Sequence, residues 1–516
     1  MVFMGKTYSP VRIKKILIAN RGEIAVRIMR SCREMGIETV AVYSDADRSS
    51  LHVRYATEAY HIGPSASSES YLRMDKILDV AVQSGADAIH PGYGFLSENS
   101  QFARKCKEAG IKFIGPSAES IEAMGDKISA RKRMIAAGVP VVPGTTEKIV
   151  DEEEAIRIIQ GIGLPVMIKA SAGGGGKGMR LVRKEEEIKP AIRSAKSEAK
   201  TAFGDDRLYI EKYIESPHHI EFQVLADSYG DAVHLFEREC SVQRRHQKVI
   251  EETPSPIMTP EVREKMGACA VAAAKAANYE GAGTIEFIVD DELNFYFLEM
   301  NTRLQVEHPI TERVVGVDLV REQIRVAEGF PLPFKQKELK MNGHSMECRI
   351  YAEDTDNNFM PNPGKITHIT EPMGLGVRCD GYIHEGYTIP IYYDPMISKL
   401  IIWGRTREEV IERMRRALYE YKISGVKTSI KYLLKIMETP DFRNGTYNTH
   451  FIEKNEEFLN SKVKCDKHCE DIALIAAFFE HASRLQVVKK VSPHERALSS
   501  LKGWKNLGRR AGMLRL

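Results

Sequence analysis

Four short apolar runs, separated by stretches of helical periodicity, constrain the first hundred or so residues most tightly. Ile16-Leu17-Ile18-Ala19 is too short for a buried helix and sits between Lys14-Lys15 and Asn20-Arg21. Such a run reads as a strand covered on both faces. Ile24 to Met35 then has the spacing of an amphipathic helix. Thr39 to Tyr43, Ala86 to His90 and Lys112 to Gly115 repeat the strand pattern. Strand and helix in alternation predict a doubly wound parallel sheet. The first turn, Asn20-Arg21-Gly22-Glu23, lacks the G-x-G-x-x-G glycines that let a pyrophosphate approach the backbone. The segment is therefore expected to be Rossmann-like without binding NAD.

The pattern changes near Pro140 and Pro143. Strands are expected at Pro165 to Lys169, Met179 to Val182 and Leu208 to Tyr213, with a charged helix from Glu185 to Lys200. Ile220 to Leu225 and Ala232 to Phe236 read as antiparallel neighbours. Glu264 to Ala277 is helical, and Thr284 to Ile288 with Phe295 to Glu299 form a hairpin around Asp290-Asp291-Glu292. An α+β region covers about 343 to 453, and Ile472 to Leu485 reads as an apolar-faced helix. The fold class is thus α/β and α+β, and 516 residues suit about three domains.

A net charge of +3 gives no electrostatic case for nucleic acid or membrane. Neither a secretory leader nor a spanning run of about 18 apolar residues is expected. Eight scattered cysteines suit a reducing cytoplasm. Cys465, His468 and Cys469 offer only three neighbouring metal ligands, so a solvated loop is the simpler reading.

Lys169-Ala170-Ser171-Ala172-Gly173-Gly174-Gly175-Gly176-Lys177-Gly178 lies between two expected strands. Four glycines leave backbone N–H groups open to fold over a polyphosphate, and lysines at both ends favour that reading over a flexible hairpin tip. Glu286 and Glu299 stand on opposite arms of the hairpin, with Asn301 two residues on and on the same face. Two carboxylates and an amide oxygen suit Mg²⁺ that also holds phosphates, although an edge hairpin with exposed acids would look similar. The following Arg303-Leu304-Gln305-Val306-Glu307-His308 supplies a guanidinium for an oxyanion and a carboxylate to take a proton. Gln243 to Lys248 is a second basic cluster, or a surface charge run.

Together these residues resemble the biotin carboxylase family of ATP-grasp enzymes, from about Lys14 to Phe451. The segments are I-A-N-R-G-E-I-A from Ile18, H-P-G-Y-G-F-L-S-E-N from His90, M-G-D-K from Met124, the glycine loop from Lys169, C-S-V-Q-R-R-H-Q-K from Cys240, E-M-N-T-R-L-Q-V-E-H-P from Glu299 and E-C-R-I-Y-A-E-D from Glu347. The resemblance implies a Rossmann-like domain at 1–125, an ATP-grasp domain at 126–330 with a mobile lid at about 141–213, and a C-terminal α+β domain at 331–456. A helical, basic tail follows at 457–516. It implies ATP contacts at Lys127, Lys169, Gly174, Gly175, Gly176, Glu211, Lys212, Tyr213, Ile214, His219, Gln243, His246, Glu286 and Glu299. It implies metal ligands Glu286, Glu299 and Asn301, for two Mg²⁺ ions or Mn²⁺. Bicarbonate would meet Lys248, Arg303, Gln305 and Val306, and biotin would meet Tyr93 and Arg349. The catalytic set would be Lys248, Arg303, Glu307 as general base and Arg349. Ala172 and Lys177 stand where relatives often carry Gly and Arg, which keeps the charge but loses a fork.

The reaction so implied is ATP- and bicarbonate-dependent carboxylation of biotin through carboxyphosphate, in a homodimer. A different ATP-grasp ligase, making an amide or carbamoyl phosphate, shares the nucleotide chemistry but not the R-L-Q-V-E-H loop. A non-enzymatic nucleotide-binding protein would be expected to have lost an acid or the base. The nearest string to a biotin-carrier Met-Lys-Met is Leu339-Lys340-Met341, inside the catalytic region. Carrier protein and carboxyltransferase are therefore expected on other chains, with acetyl-CoA, propionyl-CoA or pyruvate as final acceptor. Trp504 and Gly508-Arg509-Arg510 are similar to the ends of two-subunit carboxylase chains, so the tail is expected to dock a partner or pack on its own protomer.

Overall fold

The first apolar run becomes the centre of a five-stranded parallel sheet. The structure, a computed structural model, describes residues 2–3, 6–7, 10–145, 147, 149, 151–170, 179–203, 207–461 and 467–489. Strands β1 (Lys15–Ile18), β2 (Glu38–Ser44), β3 (Glu58–Gly63), β4 (Ala88–His90) and β5 (Lys112–Phe113) lie in the order β3-β2-β1-β4-β5. Every pairing is parallel. Ile16, Leu17 and Ile18 have no exposed surface, which is why the run carries no polar alternation. Helix α1 (Gly22–Glu34) follows β1 and buries Ile24, Ala25, Ile28, Met29 and Cys32 in a core shared with Ile16 and Ile18.

The strand order reverses between β1 and β4, where open α/β sheets place their crevice. Asn20 closes this point by donating to the carbonyls of Pro91 and Tyr93, at 2.7 Å each. Gly92 sits at φ +65° with Asn20 Nδ2 3.0 Å from where a Cβ would stand, so the turn needs glycine twice over.

A small antiparallel sheet comes next, from β6 (Val166–Ala170), β7 (Met179–Val182) and β8 (Leu208–Lys212), in the order β8-β6-β7. It has its own core of Ile149, Ile159, Val166, Ile168, Val182, Ile192, Leu208 and Ile210. The glycine loop, including Gly174, Gly175 and Gly176, lies outside the described residues.

The largest element is an eight-stranded antiparallel sheet. It is built from β9 (His218–Ala226), β10 (Ala232–Arg244), β11 (Gln247–Thr253), β12 (Gly281–Val289), β13 (Phe295–Asn301), β14 (His344–Tyr351), β15 (Val377–Gly381) and β16 (Met396–Gly404). The order is β13-β12-β9-β10-β11-β14-β16-β15. β11 pairs with β14, so the sheet runs without a break across residue 330. Helices α2 (Lys127–Ala136), α3 (Pro260–Ala276) and α4 (His308–Val315) also belong to this part of the chain.

Residues 1–459 form one compact unit and 460–516 a second. In the second, α5 (Lys467–Lys489) covers the expected 472–485 helix, and its Ile472, Leu474, Ile475, Phe478 and Phe479 are exposed. Cys465 is not described, nor are the side chains of His468 and Cys469. No helix among the described residues is long and apolar enough to cross a membrane.

Candidate active site

Strand register builds this site. His219, Glu221 and Gln223 alternate along β9 with Ile220, Phe222 and Val224, so the polar three share one face. Glu221 lies opposite Glu286 of β12, and Glu286 lies opposite Glu299 of β13. Three carboxylates thus stand in a row across adjacent strands. Like charges so placed repel, and the fold answers with cations from other strands.

Lys248 of β11 reaches into this row. Its Nζ donates to Glu221 Oε2 at 2.6 Å, Glu286 Oε1 at 2.9 Å and Glu307 Oε1 at 2.8 Å. Burial would discharge a lysine, but the three carboxylates outweigh it and keep the ammonium firmly protonated. Arg349 of β14 holds the other oxygen of Glu307, Nη2 to Oε2 at 2.9 Å, while its Nε donates to Glu251 Oε1 at 2.6 Å. Glu307 is buried, which alone would raise its proton affinity. Lys248, Arg349 and Arg238 overcome that and hold it well below the usual carboxylate range. It is ionised at neutral pH, with a cation on each oxygen.

Glu286 is treated similarly. Its Oε1 also accepts from Asn301 Nδ2 at 2.9 Å and Gln305 Nε2 at 2.8 Å, and its Oε2 meets His219 Nε2 at 2.9 Å. Gln243 donates to His219 Nδ1 at 2.7 Å, which leaves the Nε2–H pointing at Glu286. Burial raises Glu286, but Lys248 and His219 bring it well below the ordinary value. Glu299 is exposed, yet crowding and then the Glu286 charge raise its carboxyl, while Lys127 at the start of α2 opposes them. Ionised Glu286, facing Glu299 across the ladder, makes a pair of hard-oxygen donors that fits Mg²⁺, while Asn301 turns its nitrogen to Glu286 and its oxygen to Arg303. His219, Glu221 and Glu286 also bring one ligand atom each within 4.8 Å of one another.

Arg303 lies at the mouth of the same cluster. Its Nη2 donates to Asn301 Oδ1 at 2.8 Å and its Nε to Glu98 Oε2 at 3.0 Å. The carbonyl of Val306 accepts from Lys399 at 2.8 Å. Tyr93 donates to Glu23. Elsewhere, Lys169 of β6 ion-pairs with Glu211 of β8. Lys212 turns to the carbonyls of Gly163 and Leu164, at 3.2 and 2.9 Å, and the Tyr213 N–H donates to Pro165. Ile214 is half-buried just past β8, and His246 is exposed in the β10–β11 turn at φ +65°. The structure therefore gathers His219, Gln243, Lys248, Glu286, Asn301, Arg303, Gln305, Glu307 and Arg349 in one contact network. Among the described residues, no hydrogen bond or ion pair joins Lys169, Glu211, Lys212, Tyr213, Ile214 or His246 to that network.

The sequence reading overlooked Glu221, Arg238 and Glu251, all buried among these groups. The alternation of polar and apolar residues along β9 was the signal available for Glu221, whereas Arg238 and Glu251 stand beside Glu237, Glu239 and Glu252, where no alternation marks them.

Family descriptions match nearly the whole of the first unit. They are biotin carboxylase N-terminal domain at residues 12–121, carbamoyl-phosphate synthase L chain ATP-binding domain at 126–335, and biotin carboxylase C-terminal domain at 347–454. A pyruvate carboxylase subunit of Methanothermobacter thermautotrophicus is 58% identical over 450 residues, 87% of this chain and 91% of that one. Biotin carboxylase 1 of Bacillus subtilis is 56% identical over 442 residues, 86% of this chain and 98% of that one. Among solved structures, the biotin carboxylase domain dimer of Hydrogenobacter thermophilus 2-oxoglutarate carboxylase, in complex with MgADP, ADP and bicarbonate, superposes with a TM-score of 0.81. It is 50% identical and covers 87% of this chain and 99% of its own.

Proposed function

The chain belongs to the biotin carboxylase family, and from that premise we propose how its residues carry out ATP- and bicarbonate-dependent carboxylation of biotin. The observation that carries the reading is Glu307: an ionised, buried carboxylate with Lys248 on one oxygen and Arg349 on the other.

Bicarbonate is a poor nucleophile until it loses its proton. Lys248, Arg303, Gln305 and the Val306 backbone hold the anion, and Glu307 takes the proton. A carboxylate held this low is a weak base while both cations grip it. Bicarbonate competes for Lys248, and the biotin ureido oxygen competes for Arg349. Substrate binding thus loosens the grip and raises the basicity of Glu307 where it is needed. The activated bicarbonate attacks the γ-phosphorus of ATP, displacing ADP and giving carboxyphosphate, which breaks down to CO₂ and phosphate. Phosphate removes the biotin N1′ proton, Arg349 stabilises the resulting enolate, and the enolate captures CO₂. Tyr93 lines the biotin side.

ATP is held by Lys127, Lys169, the Gly174–Gly176 backbone, Glu211, Lys212, Tyr213, Ile214, His219, Gln243 and His246. Glu286, Glu299 and Asn301 would hold Mg²⁺, which would supply charge neutralisation at the phosphates. Segment 141–213 acts as a lid that excludes water from carboxyphosphate. The domain limits 1–125, 126–330 and 331–456 are proposed with it. Biotin arrives on a carrier protein and leaves carboxylated to a carboxyltransferase, both on other polypeptides in the cytoplasm. The catalytic chain works as a dimer. The subunit designation of the Methanothermobacter relative and the dimer of the Hydrogenobacter domain support this arrangement.

The test is bicarbonate-dependent ATP hydrolysis with free biotin. Glu307→Gln and Arg303→Ala are each expected to lose about 10²-fold or more in rate. Wild-type turnover in either variant refutes the role given to that residue.

A further inference from the structure

Lys399 is a lysine with no exposed surface at all, in the middle of β16. Fully buried lysines are rare because the desolvation of the ammonium costs more than packing returns. A methionine would fill the same space, so the charge itself calls for an explanation. The Nζ donates to the Val306 carbonyl at 2.8 Å and lies 3.2 Å from Glu23 Oε2. Glu23 is in the first turn of α1, and its other oxygen accepts from Tyr93. In the ladder, Lys399 stands opposite Arg349 on one side and Asp380 on the other. One ammonium thus ties together the parallel-sheet region, the 302–307 loop and the eight-stranded sheet.

The Val306 carbonyl and the Glu307 N–H belong to one peptide group. Holding that oxygen fixes the plane from which the Glu307 side chain starts, and Glu307 is the residue just before α4, its side chain free of any capping bond to the helix. The Lys248 and Arg349 contacts to Glu307 tolerate little displacement, since hydrogen bonds weaken steeply with distance and angle.

We propose that Lys399 is a positioning residue for carboxylation: its ammonium fastens the Val306–Glu307 peptide to Glu23 and Tyr93, keeping the bicarbonate loop in register with the biotin side. The proposal rests on the roles given above to Val306, Glu307 and Tyr93.

Lys399→Met alone leaves Glu23 buried beside no cation and risks unfolding. The double variant Lys399→Met/Glu23→Gln removes both charges and nearly conserves volume. ATP hydrolysis is measured with free biotin, varying bicarbonate and ATP separately, alongside thermal unfolding. The double variant is expected to unfold cooperatively near the wild-type temperature. Its kcat/KM for bicarbonate should fall about tenfold or more, with KM for ATP changed less than about twofold. Wild-type kcat/KM for bicarbonate overturns the proposal. An unfolded double variant also overturns it, by showing that the pair serves the fold. Glu307→Gln is run in parallel. If that variant keeps wild-type turnover, the reading of the site has failed; if it is impaired while the double variant is not, only the positioning role of Lys399 has.

Discussion

Arg238 has no solvent-exposed surface and donates to Glu221, Gln223, Thr284, Gln305 and Thr311. It touches no proposed substrate, yet it orients Gln305 and neutralises Glu221, which in turn holds Lys248. Arg238→Met leaves Glu221 with one cation in place of two and strands several buried acceptors. We expect a loss of about 3–5 kcal/mol in a urea titration. Arg238→Lys should recover little of it, because an ammonium cannot reproduce the planar fork. A shift under about 1 kcal/mol for the methionine variant contradicts this account. Such residues mark where sequence reading ran out. Glu307, Arg303 and Lys248 stood in short, chemistry-rich strings and were legible. Arg238 stands between Glu237 and Glu239, and Glu221 between Ile220 and Phe222; the strand register that brings them together gives them their meaning.

The same limit shows in the strands and helices. The hairpin of Glu286 and Glu299 was legible because alternation and a turn signal agree there. The strand read as Ala232 to Phe236 extends instead to Arg244. Glu237, Arg238 and Glu239 lie in that extension; all three are buried, paired with Arg263, Glu221 and the Ser241 and Ser255 hydroxyls respectively. Pairing distant in sequence overrode local polarity. Helix α3 begins at Pro260, earlier than the expected Glu264, because Thr259 caps it and proline suits the first turn. Its packing makes a sharper prediction at Gly267. Alanine there gains about 1 kcal/mol of helix propensity. However, a Cβ would stand 2.5 Å from His234 Nε2. His234 is wedged between Phe222 and Phe236, at ring distances of 5.6 and 5.4 Å, and has little room to yield. Overpacking costs about 1–3 kcal/mol, so Gly267→Ala should be net destabilising in urea; a stabilised variant shows that the helix can shift.

At the scale of the molecule, the parallel sheet was plain in the sequence, whereas the continuity of the large sheet across residue 330 was not. It depends on β11 pairing with β14, about a hundred residues on, and no local pattern specifies that partner. Part of the chain's acid response comes from buried groups that touch no proposed substrate. His52 is wholly buried; burial, only partly offset by Asp47, pushes it down to about 4. His234 is brought to about 4 and His90 to about 3, by burial in each case. These imidazoles stay neutral in the fold but gain a proton near pH 6.5 once unfolded. The unfolded chain therefore binds more protons between about pH 6.5 and 4, and stability must fall as pH drops through that window. Glu239, raised to about 7 by burial, acts in the opposite sense, because it is already protonated in the fold across about pH 4.5 to 7. Glu251, also raised to about 7 by burial, offsets a second imidazole, so these groups together leave a smaller net loss on acidification, spread between about pH 6.5 and 4. His52→Asn isolates one contribution: asparagine keeps a hydrogen-bonding group near Ser50 but does not titrate. Between pH 7.5 and 4.5 the variant should lose about 2–3 kcal/mol less stability than the wild type. Equal losses, measured by urea unfolding at both pH values, place the His52 proton affinity near its ordinary value in the folded protein and remove it from the account.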